Sequence, residues 1–297
     1  MSVALLVLPD FLLVALGWIL RNKLGYAREF FAGLEKLVYF VLFPALLLHS
    51  LLRAPISIGN AAQLLQATLL LLAAAIALAW LAAPALKPEP MALATTAQCA
   101  FRFNTYLGLS LAASLGGAAG QTAMALILGF AIPLVNIAAV YGLARHSGSG
   151  LFRELLRNPL VLSTIAGLVG NFAGVHLPGP VDVTLSWLGN AALALGIICV
   201  GASLSWRGGH GQGRLIGWML AVKLAVMPIA ALALAALLSL GPIDRRMLLL
   251  FATLPTASSA YVLAMRMGGD GRLAALTISL GTLLSAVTIP VWMLVAG

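Results

Sequence analysis

Residues 98–110 read QCAFRFNTYLGLS, and the placement of this stretch decides how the chain folds. It lies between apolar runs in a chain of 297 residues that is 62% hydrophobic. Yet positions 102–108 hold an arginine, an asparagine, a threonine, a tyrosine and a glycine. Lipid penalises such groups unless they face protein or water. The stretch therefore either ends an apolar segment or interrupts one for a purpose.

Working outward, the totals describe a membrane protein. Only 8% of residues are charged, and the mean hydropathy is +1.07. Apolar stretches near twenty residues long recur from end to end, each able to cross a hydrocarbon core of roughly 30 Å as a helix. Continuous runs such as LLQATLLLLAAAIALAWLAA do not alternate, which excludes the pattern of a transmembrane barrel. The net charge of +9 comes from basic residues scattered singly through short loops, a pattern of membrane topology and not of nucleic-acid binding. Cys99 and Cys199 fall inside apolar spans and read as packing residues. The first apolar run lacks a basic start and is expected to be kept as a helix.

Dividing the chain at charges, prolines and glycines predicts an all-α protein with ten spans, roughly 3–20, 37–52, 62–86, 91–115, 121–145, 158–176, 183–206, 214–240, 246–267 and 272–296. Connections after odd-numbered spans carry twelve of the 17 lysines and arginines, and those after even-numbered spans carry Arg53, Arg245 and Arg246. The excess places the odd connections in the cytoplasm and both termini outside. Arg102 and Lys223 are the two that remain within spans.

The halves resemble each other. Pro9 and Gly17 are eight residues apart, as are Pro159 and Gly167. Tyr106 lies 97 residues after Pro9, and Tyr261 lies 102 after Pro159. Each tyrosine follows a polar run, FNT or PTASSA, and precedes a glycine cluster, GGAAG or GGDG, and one more span holding Pro133 or Pro290. Residues 1–145 and 158–297 thus read as two five-helix repeats joined by a cytoplasmic linker at 146–157. An odd number of helices per repeat inverts the second half, an arrangement of secondary transporters. In such proteins the matching helix of each half is broken near the midplane, where freed backbone groups line a cavity. Asn104, Thr105 and Tyr106 are expected at the break in the fourth span, with Gly108 softening it. Pro255, Thr256, Ser258, Ser259 and Tyr261 are expected at the break in the ninth, where proline removes a helical donor.

At these residues the chain is similar to the auxin efflux carrier family, which includes bacterial organic-acid carriers and the plant PIN-type carriers and lies in the bile-acid/sodium symporter-like superfamily. The segments LGWILRNKLG with LEKLVYFVLFPALLL, FRFNTYLGLSL, LGNAALALGIICVGASL, KLAVMP and ATLPTASSAYVLAMRMGGD carry the resemblance over nearly the whole chain. It implies a ten-helix inverted repeat with crossed broken helices, an organic anion as cargo, a bacterial inner-membrane location and a tendency to dimerise. The chain departs from the family pattern at Ser110 and near Ala194, where many members carry proline.

Arg102 sits about eleven residues into its span, roughly 16 Å deep at 1.5 Å per residue. Either it is the counter-charge for an anionic substrate or it bonds carbonyls freed at the break. Lys223 either joins the site or snorkels to the interface. Asn104 offers donors and acceptors beside a break. Tyr106 and Tyr261 either line the cavity or pack as ordinary buried aromatics. Asp10 is the acidic side chain well inside a span, and His49 ends one near the interface. No paired carboxylates, Ser–His pair or metal-ligand spacing is visible, so an enzyme is not expected. RGGHGQG at 207–213 lacks the phosphate-loop ending, and no cofactor or metal is predicted. The expected function is a carrier of a small organic anion, a carboxylate, working by alternating access. The absence of paired buried carboxylates favours uniport, or coupling of a proton or sodium ion through backbone carbonyls and hydroxyls, over a carboxylate relay. A sodium-coupled symporter of larger amphipathic anions is the alternative, and a non-transporting receptor a weaker one.

Overall fold

The computed structural model describes residues 3–53, 58–144, 159–205, 211–257 and 259–295. Among these residues the regular structure is helical, and six stretches are long and apolar enough to cross a bilayer. In chain order the helices are α1 (Val3–Asn22), α2 (Arg28–Leu52), α3 (Ile58–Leu86), α4 (Pro90–Phe101), α5 (Thr105–Ala144), α6 (Pro159–Phe172), α7 (Gly179–Ser203), α8 (Gly213–Leu237), α9 (Pro242–Thr253), α10 (Ser259–Arg266) and α11 (Gly271–Val295). The predicted linker at 146–157 and the residue Ser258 lie outside the described residues.

Proline shapes the helices in two ways. At Pro90 and Pro242 it opens a helix at a position whose N–H has no partner anyway. At Pro44 and Pro228 it sits within a long helix, and the turn before it widens to a π turn, Val38–Leu42 in α2 and Val222–Val226 in α8. Each π turn closes by a five-residue bond, from Phe43 N–H to Val38 O and from Met227 N–H to Val222 O. Pro228 cannot bond the carbonyl of Leu224, and the Trp292 indole N–H donates to that oxygen at 2.8 Å instead. Both α2 and α8 thus pass through their prolines unbroken.

α5 is a hairpin in all but name. Gly117, with φ 58° and ψ −150°, reverses the chain between the arms 105–116 and 118–144. That conformation is essentially confined to glycine. GGAAG, at 116–120, thus makes the tight turn between the two arms, where the sequence reading placed the connection between spans 91–115 and 121–145.

First-half helices pack chiefly on second-half ones. A side chain on Gly17 of α1 would lie 2.0 Å from the Ile198 carbonyl of α7, and one on Gly201 of α7 would lie 1.9 Å from that of Val14. Backbone therefore touches backbone along this pair, as small residues allow in membrane helices. Likewise α6 lies on α2, where a Cβ on Gly167 would meet Leu51 at 2.8 Å and one on Gly170 would meet Leu52 at 2.5 Å. The remaining helices form the larger core, in which α9 is packed against α5 and α8, and α4 against α3, α5 and α11.

Candidate substrate site at the crossed helix breaks

α4 and α9 are alike in build. Each has twelve residues, opens with proline and ends on an extended residue, Arg102 with ψ 154° and Leu254 with ψ 136°. Twelve residues span about 18 Å, roughly half of a membrane's thickness. Residues 102–104 and 254–257 are not helical, and each helix resumes beyond its gap, as α5 or as α10. The polar stretch at 98–110 therefore interrupts a helix and does not end one.

The two gaps touch. The Asn104 backbone N–H donates to the Pro255 carbonyl at 2.7 Å. In return the Thr256 hydroxyl donates to the Cys99 carbonyl in the last turn of α4 at 2.6 Å. Groups that a helix end leaves without partners are thus met by the opposite break. Close approach is eased by Gly108, whose Cβ would stand 2.8 Å from Leu254 Cδ1. Gly108 lies within α5 and was expected to soften the break; its role is to admit Leu254.

Asn104 starts α5. Its Oδ1 accepts the N–H groups of Tyr106 at 3.0 Å and Leu107 at 3.2 Å, and its carbonyl accepts that of Gly108 at 3.0 Å. It is an N-cap, and the two backbone donors fix which amide atom is oxygen. The Nδ2 is buried, and among the described residues nothing accepts from it. A buried donor without a partner costs about 1–3 kcal/mol. Asn104, 1% exposed, therefore presents one unused donor at the crossing.

Arg102 is buried and its guanidinium meets three neutral oxygens. Its Nη2 donates to Asn136 Oδ1 at 3.1 Å and Ser259 Oγ at 3.0 Å, and Nη1 lies 3.5 Å from Gln98 Oε1. It ties α4, α5 and α10 together through side chains, in place of the freed carbonyls considered from sequence. Among the described residues no carboxylate pairs with it, so its charge is solvated but not neutralised.

Lys223 occupies the π turn of α8 and is 1% exposed, which rules out snorkelling in this conformation. Its Nζ lies 3.7 Å from Met227 Sδ and 5.9 Å above the centroid of the Phe251 ring. A thioether and a ring face offset little of a buried charge. Phe251 in turn packs on Phe103 of the first gap at 4.7 Å between centroids, which links Lys223 to the crossing.

The tyrosines separate. Tyr106 stacks near Phe43 of α2 with centroids 4.5 Å apart and lies over Gly196 of α7, where a Cβ would come within 2.8 Å of its ring. Tyr261 accepts from Arg28 Nη2 at 3.0 Å, at the start of α2. Both therefore meet helices outside the crossing. Thr105 is half-buried at the first position of α5. The structure brings Arg102, Asn104, Pro255, Thr256 and Ser259 together at the crossing, with Lys223 joined through two rings. Gln98 and Asn136 were missed from sequence. The signals for them were present: Gln98 is one turn before Arg102, and Asn136 is a single amide in the apolar run AIPLVNIAAV.

Residues 143–293, just over half of the chain, match the family described as membrane transport protein. The chain belongs to this family. It is a membrane transporter of the auxin efflux carrier type and not an enzyme. Two relatives align over nearly the full length of both partners. One, from Rhizobium meliloti (strain 1021), carries the name "Putative malonate transporter" and is 27% identical over 296 residues, covering 96% of this chain and 92% of the relative. The other, an "Uncharacterized transporter" of Methanothermobacter thermautotrophicus, is 24% identical over 294 residues and covers 97% of each. The family match begins at residue 143, beyond the first break, so the roles of Arg102 and Asn104 rest on their geometry.

Proposed function

We propose that this transporter carries a small dicarboxylate of the malonate class, bound where the breaks cross. The observation that carries the reading is the pair of unspent groups at the crossing, the unneutralised guanidinium of Arg102 and the free amide of Asn104. An anion supplies the charge that Arg102 lacks and the acceptor that Asn104 lacks. The start of α5 adds the positive end of a helix dipole. Lys223 offers a second cation for a second carboxylate, and Ser259 adds a hydroxyl. The malonate relative supports a two-carboxylate cargo.

On this reading ten spans cross the membrane. α4 with the first arm of α5 makes one, the second arm another, and α9 with α10 a third. The reciprocal packing of α1 on α7 and α6 on α2 supports inverted repeats, since Gly17 and Gly167 hold equivalent positions and each rests on the other half. Both termini face outward across a bacterial inner membrane. Alternating access then follows from movement of the broken helices against the frame of α1, α2, α6 and α7, which Tyr106 and Tyr261 contact.

The test is transport current from purified protein in liposomes, challenged with mono- and dicarboxylates. A saturable dicarboxylate current lost in Asn104→Ala is expected. A current unchanged in both Asn104→Ala and Arg102→Ala would remove the site from the crossing, and a current that requires sodium would favour a symporter.

A further inference from the structure

Asp10 plays no part in the site above, yet it is the most buried acid among the described residues. It lies seven residues past Val3, about 10 Å along α1 at the helical rise, and is 4% exposed. The Ser110 hydroxyl, on the first arm of α5, donates to its Oδ1 at 2.6 Å. No cation answers it among the described residues, since the two ion pairs found both end on Asp182.

The helices packed against α1 offer no cation at this level. α5 has no charged residue, and its titratable groups are Tyr106 and Tyr141. α7 brings Cys199 and Asp182, the latter engaged by Arg53 and by His49 at 3.2 Å. α11 brings Arg272, held at its far end in the turn that Asp270 caps. An ionised carboxylate here would be buried with one hydroxyl for company, a state penalised by several kcal/mol. A neutral acid fits the site as built: the proton rests on Oδ2, and Oδ1 accepts from Ser110 as a carbonyl oxygen.

We propose that Asp10 holds a proton in this conformation and gives it to water only when α1 and the first arm of α5 part. The joint lies between the α1–α7 pair and a helix that begins at the substrate cluster, so proton release and helix movement are one event. One proton is then bound and released per transport cycle, which makes the carrier proton-coupled. The coupling half of this proposal rests on the carrier reading, while the protonated acid does not.

The experiment takes the purified, lipid-reconstituted protein in two arms. Infrared spectroscopy at neutral pH is expected to show the carbonyl band of a protonated carboxyl that is absent in Asp10→Asn. In Ser110→Ala, which keeps the acid, that band moves to higher frequency because the carbonyl loses its donor. In the second arm, a pH-sensitive dye trapped in liposomes follows protons while malonate flux is measured. The wild type moves protons with malonate, and one pH unit changes accumulation about tenfold for one coupled proton. Asp10→Asn retains malonate exchange but loses both effects. If Asp10→Asn leaves the infrared band in place, the proposal is wrong whatever the cargo. If the band is lost but proton flux with malonate is unchanged, the coupling is wrong. A wild type that shows the Asp10 band but moves no dicarboxylate would overturn the carrier reading and leave the protonated acid standing.

Discussion

The two breaks reach the same geometry by different chemistry. The second is written in covalent structure: Pro255 cannot donate a helical hydrogen bond. The first contains no proline, and it is held open by hydrogen bonds from Arg102 to three side chains and from the next turn's N–H groups to the Asn104 amide oxygen. A break made by side chains can also spend them on a ligand, whereas a break made by a ring cannot. On the proposed reading, ligand chemistry belongs to the first gap and shape to the second.

Substitutions at the first gap test this with the largest effects. Arg102→Ala removes a charged donor from Asn136, Ser259 and Gln98, and bonds to charged groups contribute about 1.5–3 kcal/mol each. A loss above about 3 kcal/mol is expected, read as a fall in the thermal midpoint, together with loss of transport. Arg102→Lys keeps the charge but cannot span the Asn136 and Ser259 oxygens with a fork, so transport falls with a smaller loss of stability. Equal stability of wild type and Arg102→Ala would mean that the guanidinium does not hold the gap open.

Asn104 separates capping from binding. Asn104→Ala loses both, with about 0.5–2 kcal/mol of stability for the cap. Asn104→Asp keeps an oxygen for the Tyr106 and Leu107 N–H groups and so keeps the thermal midpoint near wild type. It replaces the free amide with negative charge, and dicarboxylate transport is expected to fall about tenfold to a hundredfold, the value of one hydrogen bond to a charged acceptor. An Asn104→Asp protein that transports normally would reduce this residue to a cap.

How far the sequence announced these features follows from how each is encoded. The run FRFNTY could be read as a break because four polar groups in an apolar span are costly in lipid unless they face a cavity or protein. Pro255 was legible because its ring acts locally, whatever the fold. Pro44 and Pro228 were read inside unbroken spans and lie so. The widened turns before them, Val38–Leu42 and Val222–Val226, were not legible, because a proline's effect depends on whether the helix can widen before it. The burial of Lys223 was equally hidden, since a lysine near a span's end can turn to water or inward, and only Phe251 and Met227 decide. The partners Gln98 and Asn136 depend on which helices meet, which local sequence does not encode. Asp10 was visible as an acid within a span, but Ser110 lies a hundred positions away on another helix.

At the second gap the effects on transport shrink. Thr256→Val keeps the shape of the side chain but leaves the Cys99 carbonyl buried without its donor, a loss of about 1–3 kcal/mol. The thermal midpoint falls while transport by the surviving folded protein stays near wild type, because this hydroxyl already bonds to protein.

Pro255→Ala gives the smallest effect and the sharpest test of the contrast between the gaps. Judged by local sequence, proline is the agent of the break, and its removal restores an N–H able to continue a helix. In the folded protein, however, continuing α9 through residue 255 would turn its carbonyl away from the Asn104 N–H, which it accepts at 2.7 Å. It would also pull Thr256 from the Cys99 carbonyl. Two buried bonds outweigh the one helical bond gained, so the gap persists in the variant. What remains is the greater freedom of alanine in the unfolded chain, about 0.4–1 kcal/mol. A thermal midpoint lowered only by that amount, with the dicarboxylate current retained, would show that the hydrogen bonds between the two breaks, and not the ring, hold the second gap open. A Pro255→Ala loss larger than that of Asn104→Ala would reverse the assignment and make the ring, not the amide, the element on which the crossing depends.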